Sequence, residues 1–127
     1  MIQHIVLLKL MPGTSDRQVA EAFEAGAVLA DQLPGILEFT VGRDPGRPDH
    51  GFELVSIMEF TDRAALERYL EHPARARYLA RYVDPIAEQR IDIDIPAESV
   101  HRPTASLITS WYWSGASGAL EEVLALD

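Results

Sequence analysis

The chain has 127 residues, the length of one domain, and its 20 acidic and 11 basic residues give a net charge of −9. This charge argues against binding to nucleic acid or to an anionic membrane surface, because both interactions depend on Lys and Arg. Cysteine is absent, which excludes disulfides, thiolate nucleophiles and cysteine-based metal sites. Apolar runs all fall short of the roughly 20 residues that a bilayer-spanning helix requires, and we expect a cytoplasmic protein.

The first half of the chain predicts a strand, a helix and two further strands. Ile2 to Leu10 is apolar on both faces, which is typical of a strand covered on both sides. Thr14 to Asp16 offers helix N-caps, and apolar residues then recur at spacings of three and four as far as Pro34-Gly35. Ile36 to Arg43 and Phe52 to Phe60 read as strands, with a Pro- and Gly-rich loop between them.

The second half predicts a helix broken in two and a last strand. Arg63 to Glu71 is helical, and Pro73 restarts the helix, since Pro suits a first helical position. Arg90 to Ile95 alternates strictly between polar and apolar residues and Pro96 closes it, so it is a strand. The order β-α-β-β-α-β is that of the ferredoxin-like α+β fold, a four-stranded antiparallel sheet with helices on one face.

The apolar character of the first strand leaves the other sheet face in need of a cover. A homodimer that packs sheet against sheet is the simplest solution, because a two-fold axis lets one patch cover its own copy. We predict this domain over residues 1–96 and a C-terminal extension over 97–127. In the extension Ala105 to Trp113 predicts a fifth strand, and the apolar Trp111-Tyr112-Trp113 indicates that it packs on the domain or across the dimer.

Several short motifs together resemble a known family. They are His4-Ile5-Val6-Leu7-Leu8-Lys9, Pro34-Gly35, His50-Gly51-Phe52, Phe60-Thr61-Asp62 and Tyr69-Leu70-Glu71-His72-Pro73-Ala74. The set resembles the stress-responsive α/β-barrel (Dabb) family of dimeric α+β barrels, over residues 1 to 96. The resemblance implies a dimeric barrel with a pocket between the helices and the sheet of each subunit.

The family includes a plant polyketide cyclase that forms olivetolic acid, a plant hydroxynitrile lyase and many bacterial proteins of unassigned function. The resemblance to the cyclase implies that His4 and Tyr69 are pocket residues. It places Arg75 at the position of the main catalytic His, and Leu54 and Gly26 at those of a second His and a pocket Tyr. Because guanidinium stays protonated near neutral pH, Arg75 cannot act as a general base, and the cyclase mechanism does not transfer intact.

Each candidate site residue has a structural and a functional interpretation. His4, on an apolar strand face, is either a satisfied core residue or a general base in an apolar pocket. Tyr69 either holds a substrate oxygen or is a half-buried Tyr whose hydroxyl reaches water. Arg75 either stabilises an anion or lies on the surface. The missing side chain of Gly26 marks either the close approach of a strand backbone or room for a ligand.

Other polar residues are interpreted structurally. Asp92 and Asp94 share one strand face with Arg90, and we interpret them as a polar stripe facing solvent or the dimer partner. His72 directly precedes Pro73 and is predicted to cap the second half-helix. The four His residues show no paired metal-ligand spacing, so we predict no metal site and no cofactor.

The leading hypothesis is a small dimeric enzyme that acts without a cofactor on an apolar carbonyl compound, by polyketide cyclisation or related carbon–carbon bond-forming or lyase chemistry. His4 would transfer protons, Tyr69 would anchor the substrate and Arg75 would stabilise an anion. The substrate-binding residues would be Val6, Leu8, Phe23, Gly26, Met58, Tyr78 and Leu79. One alternative is a non-catalytic stress-response protein that binds small molecules, with residues 111–113 as a lid. Another is a cofactorless monooxygenase of polyphenols.

Overall fold

A computed structural model of the protein describes residues 1–44 and 49–96, and it has the predicted order of strands and helices. The elements are β1 (Ile2–Leu10), α1 (Asp16–Gln32), β2 (Ile36–Arg43), β3 (Phe52–Phe60), α2 (Arg63–Glu71), α3 (Pro73–Tyr78), a π-helical turn (Leu79–Val83) and β4 (Ala87–Pro96). The predicted fifth strand and Trp111-Tyr112-Trp113 lie outside the described residues.

The four strands form one antiparallel sheet in the order β2-β3-β1-β4, which confirms the ferredoxin-like α+β arrangement. β1 is a central strand, and its residue His4 lies opposite Met58 on β3 and opposite Asp94 on β4. Because strand side chains alternate between faces, His4, Val6 and Leu8 share the face that the helices cover. The register therefore fixes which residues of three strands meet beneath the helices.

Side-chain caps begin each helix where the sequence predicts. Ser15 and Gln18 form a capping box at the start of α1, in which each side chain accepts a hydrogen bond from the other residue's backbone N–H. Asp62 Oδ1 accepts from Ala65 N at 2.8 Å at the start of α2. His72 Nδ1 accepts from Ala74 N at 3.0 Å, so the predicted capping role of His72 is confirmed.

The core lies between the helices and one sheet face, in two adjoining clusters. One contains Phe60, Leu66 and Tyr69, and the other contains Leu8 and Val83. Burial of such side chains supplies most of the stabilising free energy of a domain of this size. Residues of both clusters line the candidate site described below.

The opposite sheet face presents a set of apolar side chains that no described element covers. Its members alternate with the helix-facing residues on three strands: Ile5, Leu7, Val55, Ile57, Ile91, Ile93 and Ile95. Ile93 is 43% exposed. An apolar patch of this kind is typical of an interaction surface. Separately, no helix among the described residues is both long and apolar enough to cross a membrane.

β4 is longer than the predicted Arg90 to Ile95. It begins at Ala87, which pairs with Leu10, and it includes Pro96, opposite Ile2. Among the strands of residues 1–44 and 49–96, β4 lies at the edge of the sheet, a position where Pro is tolerated because its missing N–H is not needed for pairing. Polar Glu88 and Gln89 interrupt the alternating pattern, so the hydrophobic pattern alone could not show that the first residues of β4 pair with β1.

Candidate functional site

A cavity of about 50 Å³ lies between the helices and the covered sheet face. Its wall is mainly apolar, and its polar members are His4, Ser56, Tyr69, Arg75, Tyr78, Arg90 and Asp92. Nine of the ten predicted site residues line it: His4, Val6, Leu8, Phe23, Met58, Tyr69, Arg75, Tyr78 and Leu79. The sequence-based set is thus brought together in one place, apart from Gly26.

His4 is buried, with 3% of its surface exposed, and its ring is held by Asp94. His4 Nδ1 lies 2.7 Å from Asp94 Oδ1, a contact that follows from the direct pairing of the two residues on β1 and β4. A carboxylate only accepts hydrogen bonds, so the proton of the neutral imidazole resides on Nδ1. Nε2 keeps its lone pair and is the nitrogen available to take a proton.

Arg75, Asp92 and Arg90 form a row of charges along the cavity. Asp92 Oδ2 lies 3.6 Å from Arg75 Nη2, and Asp92 Oδ1 lies 3.3 Å from Arg90 Nε. The distance from Asp92 Oδ2 to His4 Nε2 is 4.0 Å, which is too long for a hydrogen bond. The Asp92 carboxylate is therefore engaged mainly by the two arginines, and the imidazole nitrogen is left free of it.

The Arg75 side chain is only 15% exposed, so the interpretation as a surface arginine is wrong. Its guanidinium carbon lies 5.5 Å from the centroid of the Tyr69 ring. At this distance the positive charge is attracted to the face of the aromatic ring. Arg75 Nε is buried and has no hydrogen-bond partner among the described residues. Arg75 is thus a fixed cation in the wall of the cavity, with one donor unused.

Tyr69 belongs to the core cluster of Phe60 and Leu66, and it also contacts the imidazole of His4. It is 6% exposed, and its ring meets the His4 ring edge-on at a centroid distance of 6.0 Å. Burial raises the pKa of Tyr69, and the nearby positive charge of Arg75 opposes this rise only in part. The phenol therefore stays protonated at neutral pH and can donate a hydrogen bond to a substrate oxygen.

Gly26 does not line the cavity. A Cβ at this position would lie 2.9 Å from Phe39 Cζ and 3.1 Å from Tyr78 Oη. Aromatic side chains, rather than a strand backbone or open space for a ligand, thus occupy the room that the glycine leaves. Gly26 lets these rings pack against α1, and its expected contact with a ligand is corrected accordingly.

The interpretation of Asp92 and Asp94 as a stripe facing solvent or a dimer partner is also corrected. Their side chains are 32% and 37% exposed, yet Asp94 binds His4 and Asp92 lines the cavity. The signal for this role was the pairing of β1 with β4, which the ferredoxin-like order implies. Aligning Arg90, Asp92 and Asp94 against Leu8, Val6 and His4 would have placed them on the helix-covered face.

The site combines an oriented imidazole, a phenol donor and a cation in mainly apolar surroundings. This set can move a proton and stabilise the negative charge that results. No group of three or more His, Asp or Glu side chains within residues 1–44 and 49–96 is placed to hold a metal ion.

Several solved structures share this fold. A dimeric ferredoxin-like protein of unknown function from Thermobifida fusca is 20% identical, with a TM-score of 0.65 over 74% of this chain and 88% of that one. The hydroxynitrile lyase from Passiflora edulis is 18% identical, with a TM-score of 0.69 over 80% and 96%. A variant of SnoaB, a cofactor-independent oxygenase from Streptomyces nogalater, is 17% identical, with a TM-score of 0.64 over 80% and 97%. At these identities the likeness shows the fold alone.

The sequence itself gives a more specific result. No curated protein matches it. The family model described as the stress responsive A/B barrel domain matches residues 2–97, about three quarters of the chain. This match confirms the resemblance that the motifs of β1, β3 and α2 predicted. The chain belongs to the stress-responsive A/B barrel domain family.

Proposed function

We propose that the protein is an enzyme that uses His4 as a general base, without a cofactor, on a small apolar carbonyl compound. The reaction class is carbon–carbon bond formation or its reversal by a lyase. The observation that carries the proposal is the His4–Asp94 hydrogen bond of 2.7 Å in the wall of an apolar cavity. It leaves one imidazole nitrogen free to accept a proton.

The proposed step is a proton transfer. In the lyase direction, His4 Nε2 takes the proton of the substrate hydroxyl, and the electron pair of the O–H bond forms the carbonyl C=O bond. The adjacent carbon–carbon bond breaks, and its electron pair leaves with the released enolate or cyanide, which the imidazolium then protonates. Carbon–carbon bond formation is the same sequence in reverse. Asp94 stabilises the resulting imidazolium through Nδ1–H, as a carboxylate partner does for a catalytic His. Tyr69 donates a hydrogen bond to the oxygen that gains charge, and Arg75 supplies a fixed positive charge nearby.

The size of the cavity favours a small substrate. Its volume of about 50 Å³ is below the ~150 Å³ of an engineered protein cavity that binds benzene. A polyketide chain would require a large movement of the wall, whereas a short aldehyde or hydroxynitrile requires a small one. Within the proposed class, lyase chemistry on a small substrate is therefore favoured over polyketide cyclisation.

A non-catalytic binding protein is the second candidate, and Arg75 is the observation that favours it. Arg75 stands where the resemblance to the cyclase places a catalytic His, and its guanidinium pairs with Asp92. A permanently charged group at this position can bind an oxygen of a ligand but cannot exchange protons with it near neutral pH. A ligand held by Tyr69 and Arg75 would then leave chemically unchanged.

The deciding experiment is a turnover assay on small hydroxynitriles, β-hydroxyketones and aldehydes, with products identified by chromatography. We expect His4→Ala to lower the rate by about 10²- to 10⁴-fold, the usual contribution of a general base. His50→Gln is the matched control, because His50 is exposed and lies outside the cavity, where its Nδ1 accepts a hydrogen bond from Phe52 N. Unchanged turnover in His4→Ala would show that the catalytic assignment is wrong. Thermal stabilisation by a compound that is recovered unchanged would favour the binding protein.

We also propose that the protein is a homodimer joined through the open sheet face. Ile5, Ile57 and Ile93 lie side by side on the three neighbouring strands of this face. Covering such a patch with its own copy removes apolar surface from water in both subunits. The Thermobifida fusca protein of the same fold is described as dimeric, which supports self-association here.

A further inference from the structure

Tyr78 separates the cavity from a second, outer depression. The outer groove is lined by α1, α3 and the π-helical turn, and its volume is about 1040 Å³. Among the described residues, Tyr78 alone lines both the cavity and this groove. The Tyr78 ring therefore forms a shared wall between a small inner space and a wide outer one.

The Tyr78 ring rests against α1 at the place where Gly26 lacks a side chain. Its hydroxyl lies 3.1 Å from the position that a Gly26 Cβ would take. Within residues 1–44 and 49–96 the Tyr78 hydroxyl makes no hydrogen bond, and the ring's aromatic neighbour is Tyr82 at a centroid distance of 6.3 Å. Packing alone thus holds the ring in place, and moving it breaks no polar contact of the described chain.

The backbone beside Tyr78 departs from regular helix. The turn Leu79–Val83 is π-helical, and Asp84 N donates to Leu79 O at 2.7 Å. Such turns are inserted into helices frequently at functional sites, where they reposition side chains. Here the turn begins directly after Tyr78, and both Leu79 and Val83 line the cavity.

We propose that Tyr78 is the residue that determines which ligands reach the cavity. Ligands enter from the outer groove when the Tyr78 ring moves away from its place beside Gly26 on α1. With the ring seated, the 50 Å³ cavity admits only a few heavy atoms. With the ring moved, the cavity becomes continuous with the groove and accepts a compound with a single aromatic ring. The inference rests on the proposed ligand cavity and not on catalysis by His4.

A second route would pass the polar end of the cavity. Arg90 and Asp92 are 33% and 32% exposed there, and their side chains are joined at 3.3 Å. Entry at this end would require that ion pair to open, and it would bring an apolar ligand past three charged groups. The outer groove also carries charged side chains (Glu21, Glu24, Arg77 and Arg81), so charge alone does not separate the two routes. They differ because moving the Tyr78 ring breaks no polar contact of the described chain, whereas the other route requires an ion pair to open.

Met58 provides a direct signal of occupancy. It is 4% exposed and lines the cavity, whereas Met1 and Met11 are 59% and 44% exposed. Labelling the three methionine methyl groups with ¹³C therefore gives one NMR signal from the cavity and two internal controls. The probes are benzyl alcohol, with one ring, and 1-naphthylmethanol, with two.

We expect benzyl alcohol to shift the Met58 signal of the unmodified protein, and 1-naphthylmethanol to leave it unchanged. Tyr78→Ala should raise the association rate of benzyl alcohol by about tenfold or more and admit 1-naphthylmethanol, because the gating step is removed. Gly26→Ala should also raise the rate, since its Cβ would lie 2.9 Å from Phe39 Cζ and 3.1 Å from Tyr78 Oη and would crowd both rings out of their places against α1. Tyr78→Leu, which keeps apolar bulk, replaces Tyr78→Ala if the alanine variant does not fold.

Val28→Ala is the matched control, because Val28 lines the outer groove and not the cavity. An association rate in Tyr78→Ala within about twofold of that control would overturn the proposal. So would acceleration by Arg90→Ala alone, or a Met58 signal that neither alcohol shifts in any variant. Loss of turnover is not part of this test, so a failure of the His4 assignment would leave its outcome unaffected.

Discussion

The hydrogen bond between His4 Nδ1 and Asp94 Oδ1 can be measured through stability, without a substrate. The perturbation is a double-mutant cycle of His4→Ala and Asp94→Ala, which isolates the energy that the two side chains share. A hydrogen bond to a charged group contributes about 1.5–3 kcal/mol. Because the Asp94 side chain is 37% exposed and water screens it, we expect a coupling at or below the lower limit of this range, about 1–1.5 kcal/mol.

The matched control is the same cycle with Asp92 in place of Asp94. Both carboxylates lie on the same face of β4, but Asp92 Oδ2 is 4.0 Å from His4 Nε2 whereas the Asp94 contact is 2.7 Å. The coupling of His4 with Asp92 should therefore be below about 0.5 kcal/mol, as for a loosely placed ion pair. If His4→Ala does not fold, His4→Leu, which is closer to His in volume, replaces it in both cycles.

Urea unfolding at pH 7, followed by circular dichroism, measures both cycles. Protein concentration must be the same for all variants, because self-association would make stability depend on it. A coupling between His4 and Asp94 no larger than that between His4 and Asp92 would refute the reasoning. Asp94 would then not orient the imidazole, and the proposed base would lose its support.

Three further predictions concern Tyr78, the turn at Gly35 and the open sheet face around Ile93. Burial and the neighbouring Tyr69 raise the pKa of Tyr78 to about 12 from 10.0, so the folded chain keeps a proton that the unfolded chain loses. Urea unfolding should therefore show a contribution of Tyr78 to stability that falls by up to about 2.7 kcal/mol as pH rises from 10 through 12. Tyr78→Phe should show a smaller fall than the unmodified protein, and Tyr69, whose pKa burial also raises, accounts for the fall that remains. Gly35→Ala should lower the free energy of unfolding by about 2–4 kcal/mol in the same assay, because φ at Gly35 is +85° and the new Cβ would lie 2.7 Å from Ala65 Cβ. Gly42→Ala is the control: its Cβ would meet nothing within 4 Å, and stability should change by less than about 0.5 kcal/mol. Ile93→Lys should give a monomer of about 14.1 kDa by light scattering, because it places a charge in the proposed dimer contact; a dimer of unchanged affinity would contradict the sheet-to-sheet arrangement.

The sequence predicted the order of elements because local signals agreed with one another. Ser15, Asp62 and Pro73 mark the starts of helices. A run that is apolar on both faces marks β1, and period-two alternation marks Arg90 to Ile95. The π-helical turn Leu79–Val83 had no such signal. Its i to i+5 hydrogen bond from Asp84 N to Leu79 O departs from the 3.6-residue period that the sequence pattern reports, so periodicity does not encode it.

The apolar part of the candidate site and Arg75 were also predictable, but its two carboxylates were not. His4, Tyr69 and Met58 lie on faces whose pattern already indicated burial. Asp92 and Asp94 carry the pattern of a solvated stripe, and only the register of β4 against β1 shows that they face the helices. Composition cannot distinguish a carboxylate that faces water from one that faces a buried imidazole at the same spacing.

The two strands that carry the site, β1 and β4, differ in the number of strands that pair with them. β1 is a central strand, so His4 is fixed by pairing on both sides, whereas β4 pairs with β1 alone among the described strands. A slip of β4 by one residue would turn Asp94 to the opposite face and remove the partner of His4. The isoleucines that alternate with the carboxylates prevent this slip if the open face is covered, because the same slip would bring Ile93 beneath the helices and expose the aspartates to an apolar partner. Dimerisation through that face would therefore also stabilise the His4–Asp94 pair, which links the oligomeric state to the chemistry of the cavity.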